Sequence, residues 1–159
     1  MFLMKCIRTL ALSIGLAVAG IAATATLSLA HADKPPVSVE LFQQAAVGGY
    51  DVTSYFAGAP VVGSPQFTAT HNGATYRFAS AANRDRFAAN PAAFAPQYGG
   101  YCAWAVAQGY TAPGRPRHWR IVDGKLYLNY DANVQSKWEK NIPGFISAAN
   151  GNWPTVLRK

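Results

Sequence analysis

Polar and apolar residues alternate along two short runs near the middle of the chain, at residues 66–71 and 74–78. Such alternation predicts β-strands, because successive side chains of a strand point to opposite faces. Asn72-Gly73 lies between the runs, and both residue types accept a positive φ, so we predict a hairpin with a two-residue turn. Ser80 then has the residue type of a helix N-cap, and a helix is predicted over 81–89.

The same kind of pattern occurs again towards the C-terminus. Residues 119–122 and 125–130 flank Asp123-Gly124, which predicts a second hairpin whose turn also has positive φ. Asp131 follows as an N-cap, with a helix predicted over 132–141. The predicted fold class is therefore α+β: a small antiparallel sheet built from hairpins, with short helices packed on it.

The remaining segments have weaker patterns. We expect a short helix over 39–47, an aromatic strand over 50–56 and a short strand at 61–62. Residues 101–108 alternate like a strand but are rich in alanine, and we favour a helix there. A last short helix is predicted over 145–150, after a Pro-Gly break. No internal repeat and no second folded domain is visible.

The first 32 residues have the features of a secretory signal peptide. Lys5 and Arg8 precede an apolar run over 10–29, and Ala30-His31-Ala32 is a small-x-small cleavage site. We therefore expect a periplasmic protein that begins at Asp33 and no longer contacts the membrane. The domain organisation expected is a leader (1–32), a linker with a short helix (33–47) and one domain (48–159). An uncleaved membrane anchor is the alternative, since the apolar run is long for a signal.

Composition and charge favour a folded body over a disordered one. Half of the residues are hydrophobic and only 13% are charged. The formal net charge is +7, and without residues 1–32 it is +5, from 12 basic and 7 acidic residues. The basic residues are scattered and no nucleic-acid-binding motif is present, so a solvated surface is favoured over nucleic-acid binding.

Cys102 would be the single cysteine after the leader and its Cys6 are removed. A buried small hydrophobe, an intermolecular disulfide or redox thiol, and a soft metal ligand are all open for it. With His118 and His71 it makes up the candidate metal ligands, which suit a copper ion, Cu(I), better than a closed zinc site of four ligands. As an enzyme, the chain would offer Cys102 with His118 as base and Asn129 or Asp131 as orienter.

Several groups of residues spread over 48–157 form a recognisable set. They are Gly49-Tyr50-Asp51 with Tyr55-Phe56, the run from Gly73 to Phe78, the run from Ser80 to Phe87 with Asn90-Pro91, the run from Ala95 to Ala103, the run from Val122 to Tyr130, and Asn152-Trp153-Pro154. In this set the chain resembles the YHS-domain family, in its small exported bacterial form.

The resemblance implies a link to metals. YHS domains occur beside heavy-metal transport ATPases and some multicomponent oxygenases, and the cysteine-bearing versions resemble metal-sensing modules with two cysteines four positions apart. Those positions hold Ala79 and Asn83 here. Cys102 belongs to the motif of the exported form, so a metal role for this chain has to be argued from Cys102.

We therefore expect a non-enzymatic periplasmic binding protein for copper or a similar soft metal. A metal-free structural or partner-binding accessory protein, with a protein partner that the sequence does not name, is the first alternative. A cysteine-dependent enzyme is the second. Metal content of the purified mature protein separates the first reading from the others, and the sequence leaves the oligomeric state open.

Overall fold

The computed structural model describes residues 33–39 and 44–159. The predicted leader at 1–32 lies outside these residues, as does the middle of the helix expected over 39–47. At the described ends of that segment, Val39 and Ala46 form an antiparallel bridge. Within the described ranges, no helix combines the length and the apolar character that crossing a bilayer requires.

Two separate antiparallel hairpins and several short helices make up the described body, which confirms the predicted α+β class. The strands are β1 (Ser64–His71), β2 (Ala74–Phe78), β3 (Arg115–Val122) and β4 (Lys125–Asn129). The α-helices are α1 (Ala81–Ala89), α2 (Pro91–Phe94), α3 (Ala103–Ala107), α4 (Ala132–Glu139) and α5 (Ile142–Asn152). Short 3-10 helices cover Val47–Gly49, Ser54–Ala57, Gln97–Gly100 and Thr155–Arg158.

Both predicted hairpin turns have the expected backbone conformation. The φ values are 49° and 77° at Asn72 and Gly73, and 50° and 70° at Asp123 and Gly124. Each long strand also carries an irregularity near its start, where its register against the partner strand shifts. The two-residue turns are thus confirmed, and the strands begin earlier than the alternation of polarity indicates.

The predicted helix N-caps are confirmed as well. The Ser80 side chain accepts a hydrogen bond from the backbone N–H of Asn83 at 3.2 Å, and the Asp131 carboxylate accepts one from Val134 at 2.8 Å. These bonds satisfy amide groups that the first turn of a helix leaves unpaired. The helix favoured over 101–108 is present as α3.

Three predicted elements differ from the structure. The short strand expected at 61–62 is absent, because Val62 forms only an isolated bridge with Tyr50. No strand covers 50–56, because Asp51 turns the chain: its Oδ1 accepts from the Thr53 N–H at 2.9 Å, and a 3-10 helix follows. The last helix is longer than 145–150 and begins at Ile142. Pro143 lies in its first turn, where a missing N–H costs nothing, so the proline starts the helix and does not precede it.

The chain contains an internal repeat that the sequence pattern did not reveal. Residues 48–98 and 99–149 align without a gap when the sequence is shifted by 51 positions (Gly48 to Gly99). Each unit opens with Gly-Gly-Tyr and continues with an eight-residue strand, a two-residue turn, a five-residue strand and a capped helix. The two hairpins, their strand irregularities and both N-caps fall at equivalent positions.

Backbone hydrogen bonds repeat with the same shift. Asp51 N–H donates to the Val61 carbonyl at 2.9 Å, and Cys102 N–H donates to the Ala112 carbonyl at 2.8 Å. A second pair of bonds runs from Gly63 to Gly49 and from Gly114 to Gly100, at 2.9 and 3.1 Å. The repeat therefore includes the backbone geometry of the irregular segments and not only the order of elements.

The buried apolar side chains of the described residues form two clusters, and β4 contributes to both. Phe87 of α1 and Trp138 of α4, at equivalent positions, are each 0% exposed and lie in different clusters. Leu126 and Leu128 pack into the cluster of the first unit, whereas Tyr127 packs into that of the second. The first unit therefore completes its core with side chains from the second.

Candidate functional site

Asp51 and Cys102 occupy the same position in the two units, and the first of them is saturated with hydrogen bonds. Asp51 is 0% exposed. Its Oδ1 accepts from the N–H and the hydroxyl of Thr53 at 2.9 and 2.7 Å. Its Oδ2 accepts from the Ala79 N–H at 2.9 Å and from Asn83 Nδ2 at 2.7 Å. Ala79 and Asn83, where the resemblance expects cysteines, thus serve to hold a buried carboxylate.

Cys102 lies in the equivalent setting at the start of α3 and is 1% exposed. Burial raises the pKa of its thiol, while hydrogen bonds from the backbone N–H groups of Ala105, Tyr130 and Trp104 act in the opposite direction. The charge of Asp131 adds to the rise. Trp104 and Tyr130 stand 51 positions after Thr53 and Ala79, so amides from the same positions face the sulfur and the carboxylate.

A cavity of about 200 Å³ adjoins Cys102. Val134 borders it, at the position where the first unit has Asn83. The carboxylate of Asp51 and the amide of Asn83 in the first unit thus correspond to the thiol of Cys102 and the shorter, apolar side chain of Val134 in the second. The residues that line the cavity are Cys102, Trp104, Ala105, Tyr110, Ala112, Tyr130 and Val134.

The rim of this cavity is aromatic and exposed. Tyr110 and Tyr130 are 46% and 42% exposed, which is unusual for large hydrophobic side chains in this body. The Trp104 and Tyr110 rings pack edge-on, with 6.3 Å between their centres, and Lys137 Nζ lies 5.7 Å from the centre of the Trp104 ring. Together these side chains give the cavity apolar walls, with Lys137 against the Trp104 ring and Arg115 against the Tyr130 ring.

Asn129 is a polar residue in the apolar interior next to Cys102. It is 0% exposed, and its Oδ1 accepts from the Cys102 thiol at 3.7 Å and from the Trp104 N–H at 3.4 Å. Its Nδ2 has no hydrogen-bond partner among the described residues. The equivalent residue in the first unit is Phe78, so the fold does not require an amide there. Leaving the N–H groups unpaired costs about 1–3 kcal/mol.

The three residues predicted as metal ligands border three different cavities. His71, at the end of β1, contacts the rings of Tyr76 and Phe87 and lines a cavity of about 350 Å³. His118 lines another of about 380 Å³. No group of three or more His, Cys, Asp or Glu that could hold a metal ion occurs within the part of the chain that the structure describes. Nor does Cys102 share a described cavity with His118, the base of the enzyme hypothesis.

No protein-family model, curated protein or solved structure matches this chain. The resemblance to the YHS-domain family accordingly stays a prediction, and so does the ligand set of Cys102, His118 and His71.

Sequence reasoning missed most residues around Cys102. Asn129 was expected only as an orienter in the enzyme hypothesis, and Trp104, Tyr110 and Val134 were not expected at all. The 51-residue shift could have found them, because it aligns Cys102 and Val134 with a buried Asp–Asn pair. Such an alignment identifies buried positions at which the two units have different types of side chain.

Proposed function

We propose that this chain is an exported, non-enzymatic binding protein whose ligand site is the cavity beside Cys102. One observation carries the proposal: a thiol lies in the wall of an otherwise apolar, aromatic-rimmed cavity, with three backbone N–H groups directed at its sulfur. Export is supported by the signal-peptide features of residues 1–32.

The ligand class that we propose is a soft metal ion, with Cu(I) as the first candidate. A thiolate is a soft ligand, and the surrounding amides stabilise its negative charge. Cys102 supplies one such ligand at this cavity. A bound Cu(I) would complete its coordination from outside the cavity, with His118 or His71 of another molecule or with a ligand of a partner protein.

Metal binding at a thiol with a raised pKa depends on pH in a defined direction. Below that pKa the sulfur carries a proton, which the metal must displace. Affinity should therefore fall by about tenfold for each pH unit below the pKa of Cys102 and level off above it.

The test is a competition titration with a Cu(I) chelator under anaerobic conditions, on the mature chain and on Cys102→Ala. We expect the wild type to take Cu(I) from the chelator and Cys102→Ala to lose this ability. His118→Ala and His71→Ala, titrated in parallel, identify the helper ligand. Equal affinity in wild type and Cys102→Ala, or no binding in either, would end the metal hypothesis.

A double variant guards against a loss of binding that comes from misfolding. Cys102→Asp with Val134→Asn introduces the pair that the first unit holds at these positions, while it removes the sulfur. We expect a cooperative thermal transition and no Cu(I) binding from this variant. If it binds Cu(I) like the wild type, the sulfur is not the ligand.

A metal-free accessory protein is the second candidate, favoured by the burial of Cys102. Its side chain is 1% exposed and its thiol proton has an acceptor in Asn129. In that case Cys102 is a structural residue and the exposed tyrosines of the cavity rim contact a protein partner. Absence of metal from the purified mature protein, together with a thiol that resists alkylation until the protein unfolds, would support this candidate.

A further inference from the structure

A cavity of about 350 Å³ lies at the turn end of the first hairpin, and it shares no lining residue with the cavity beside Cys102. We call it the Tyr76 cavity. Its walls come from the N-terminal segment at 36–37, the first hairpin, residues 92–99 and the C-terminal tail. No Asp, Glu, Lys or Arg is among the described residues that line it. A ligand of this cavity would therefore be held by hydrogen bonds and ring contacts and not by ion pairs.

Tyr76 is a buried tyrosine whose hydroxyl has no partner within the fold. The residue is 1% exposed, and its hydroxyl makes no hydrogen bond to any described residue. The hydroxyls of two other buried tyrosines, Tyr55 and Tyr101, donate to the carbonyls of Pro116 and Pro35 at 3.0 and 2.9 Å. Burial raises the pKa of Tyr76 to about 12, so its hydroxyl keeps the proton at neutral pH. Because a buried hydroxyl without a partner costs free energy, we expect its partner to enter from the cavity.

Three further side chains bring hydrogen-bonding groups to the same cavity. They are the imidazole of His71 and the carboxamides of Asn72 and Gln97, and none of them has a side-chain hydrogen bond within the part of the chain that the structure describes. His71 is held by ring packing, with its ring centre 6.3 Å from that of Tyr76 and 5.9 Å from that of Phe87. The cavity thus offers several groups that can each donate and accept a hydrogen bond.

Aromatic rings form another wall of the cavity. Trp153 is half-buried, and its ring centre lies 5.9 Å from that of Tyr98 and 6.1 Å from that of Tyr101. The Tyr98 hydroxyl donates to Asn150 Oδ1 at 2.8 Å, which fixes the Tyr98 ring. Uncommitted polar groups and an aromatic surface therefore face the same space.

Backbone contacts hold the walls of the cavity together. Lys34 N–H donates to the Leu157 carbonyl at 2.8 Å, and Ser38 N–H donates to the Gly99 carbonyl at 2.9 Å. A Cβ at Gly99 would collide with the Pro36 carbonyl, so glycine lets the N-terminal segment pack directly on this wall. The cavity is therefore formed before a ligand arrives, which lowers the entropy cost of binding.

The second unit shows that the fold does not require these polar groups. The residues equivalent to His71 and Gln97 are Val122 and Ala148. Both units nevertheless form the same hairpin with the same irregularity. An imidazole and a carboxamide at these two places are thus additions to a fold that forms with apolar side chains.

We propose that the Tyr76 cavity binds one uncharged sugar ring. Sugar hydroxyls both donate and accept hydrogen bonds, as do the hydroxyl of Tyr76, the neutral imidazole of His71 and the carboxamide of Gln97. The C–H groups on the face of a sugar ring pack on aromatic rings such as that of Trp153. The polar groups belong to separate walls, which suits a ring that carries hydroxyls around its whole edge. The volume falls within the range of about 300–1,000 Å³ that small-molecule sites occupy.

The test is a titration of the mature chain with D-glucose and, separately, with N-acetyl-D-glucosamine. Binding is followed by the backbone amide resonances of residues 71–76 and 97–99 and by the indole N–H resonance of Trp153. We expect saturable shifts with one or both sugars. Tyr76→Phe should raise the Kd by about three- to tenfold, because it removes one hydrogen bond to the ligand. It should not lower the Tm, because the hydroxyl has no partner in the fold.

Tyr127→Phe is the matched control. Tyr127 stands at the position equivalent to Tyr76 and does not line the cavity, so the Kd of this variant should equal that of the wild type. Gln97→Ala introduces the residue type that the second unit holds at the equivalent position, and it should also weaken binding.

Two further arms define the ligand and the site. Cys102→Ala should bind sugar like the wild type, so this site is tested independently of the metal proposal. Adenine is an uncharged flat ring without hydroxyls, and binding of adenine in the absence of sugar binding would overturn the assignment. No saturable shift with either sugar, or the same Kd for Tyr76→Phe as for Tyr127→Phe, would overturn it as well.

Discussion

Asp51 and Cys102 lie at the same position of the two units but differ in their chemistry. Both side chains face backbone amides from equivalent residues, and both are almost fully buried. For Asp51 two backbone amides, a hydroxyl and an asparagine side chain donate to the carboxylate, so each of its oxygens accepts two hydrogen bonds. For Cys102 the asparagine is replaced by valine and a cavity remains.

Asp51→Asn tests whether the buried carboxylate stabilises the first unit. The amide would place an NH₂ group among donors and leave the Ala79 N–H or Asn83 Nδ2 without an acceptor. We expect the free energy of unfolding to fall by about 2–4 kcal/mol, measured by urea denaturation. Asp85→Asn is the control, because the Asp85 side chain is 66% exposed in its ion pair with Arg84 and its loss should cost under about 0.5 kcal/mol. Equal effects from the two substitutions would contradict this role of Asp51.

At this scale the sequence predicts local contacts and misses distant ones. Ser80 and Asp131 cap helices that begin at the next residue, so their role follows from neighbouring residues alone. The surroundings of Cys102 depend on Asn129, the last residue of the second hairpin, and on Tyr130, which follows it. Local spacing rules do not connect residues at that separation, and only the alignment of the two units could have pointed to them.

The hairpins are the elements that the sequence predicts best, and their turns explain why. Gly73 and Gly124 have φ values of 77° and 70°, a region that a residue with a branched Cβ resists. Space is not the constraint, because no atom lies within 4 Å of a Cβ placed on either residue. The glycines are there for backbone conformation alone.

Gly73→Val and Gly124→Val should therefore each destabilise the protein through strain in the backbone. We expect a loss on the order of 1 kcal/mol or more, seen as a lower Tm in thermal denaturation. Gly151→Ala is the matched control: Gly151 lies in α5, a Cβ there also meets no atom within 4 Å, and alanine is the better helix former. It should raise the Tm or leave it unchanged. Unchanged Tm values for both valine variants would show that the turns tolerate a different conformation.

The elements predicted wrongly are those in which a side chain reorganises the backbone. Aromatic residues over 50–56 favour a strand, but the Asp51 side chain bonds to Thr53 and turns the chain. In α5, Asn141 accepts from the Gly144 N–H at 3.1 Å and starts the helix before Pro143. In both places a local hydrogen bond outweighs the pattern of polarity.

On the scale of the whole molecule, the repeat is hidden because the two units share few residues. Many of the identities are glycines that meet backbone demands, such as Gly63 and Gly114: a Cβ would collide with the Arg77 backbone at the first and with the Gly100 carbonyl oxygen at the second. Several equivalent positions stay buried while the residue changes, as Phe87 and Trp138 show. Core residues of this kind are interchangeable, so the sequence diverges while the fold persists.

Division of the chain at the junction of the units, between Tyr98 and Gly99, should give two fragments that depend on each other. The first cluster requires Leu126 and Leu128 from the second fragment, and Ser38 N–H donates to the Gly99 carbonyl at 2.9 Å. We expect residues 33–98 and 99–159 to lack cooperative unfolding when separate and to recover it on mixing, measured by circular dichroism during heating. Cooperative unfolding of either fragment alone would show that a unit is an independent domain.

Redundancy has a further consequence for how this protein can change over time. When a chain contains two equivalent units, a stabilising interaction can be retained in one unit and lost from the other. In the first unit Asn83 donates a hydrogen bond to Asp51, whereas the corresponding residues of the second unit, Cys102 and Val134, line a cavity. New chemistry can then arise in the second copy while the first continues to stabilise the fold.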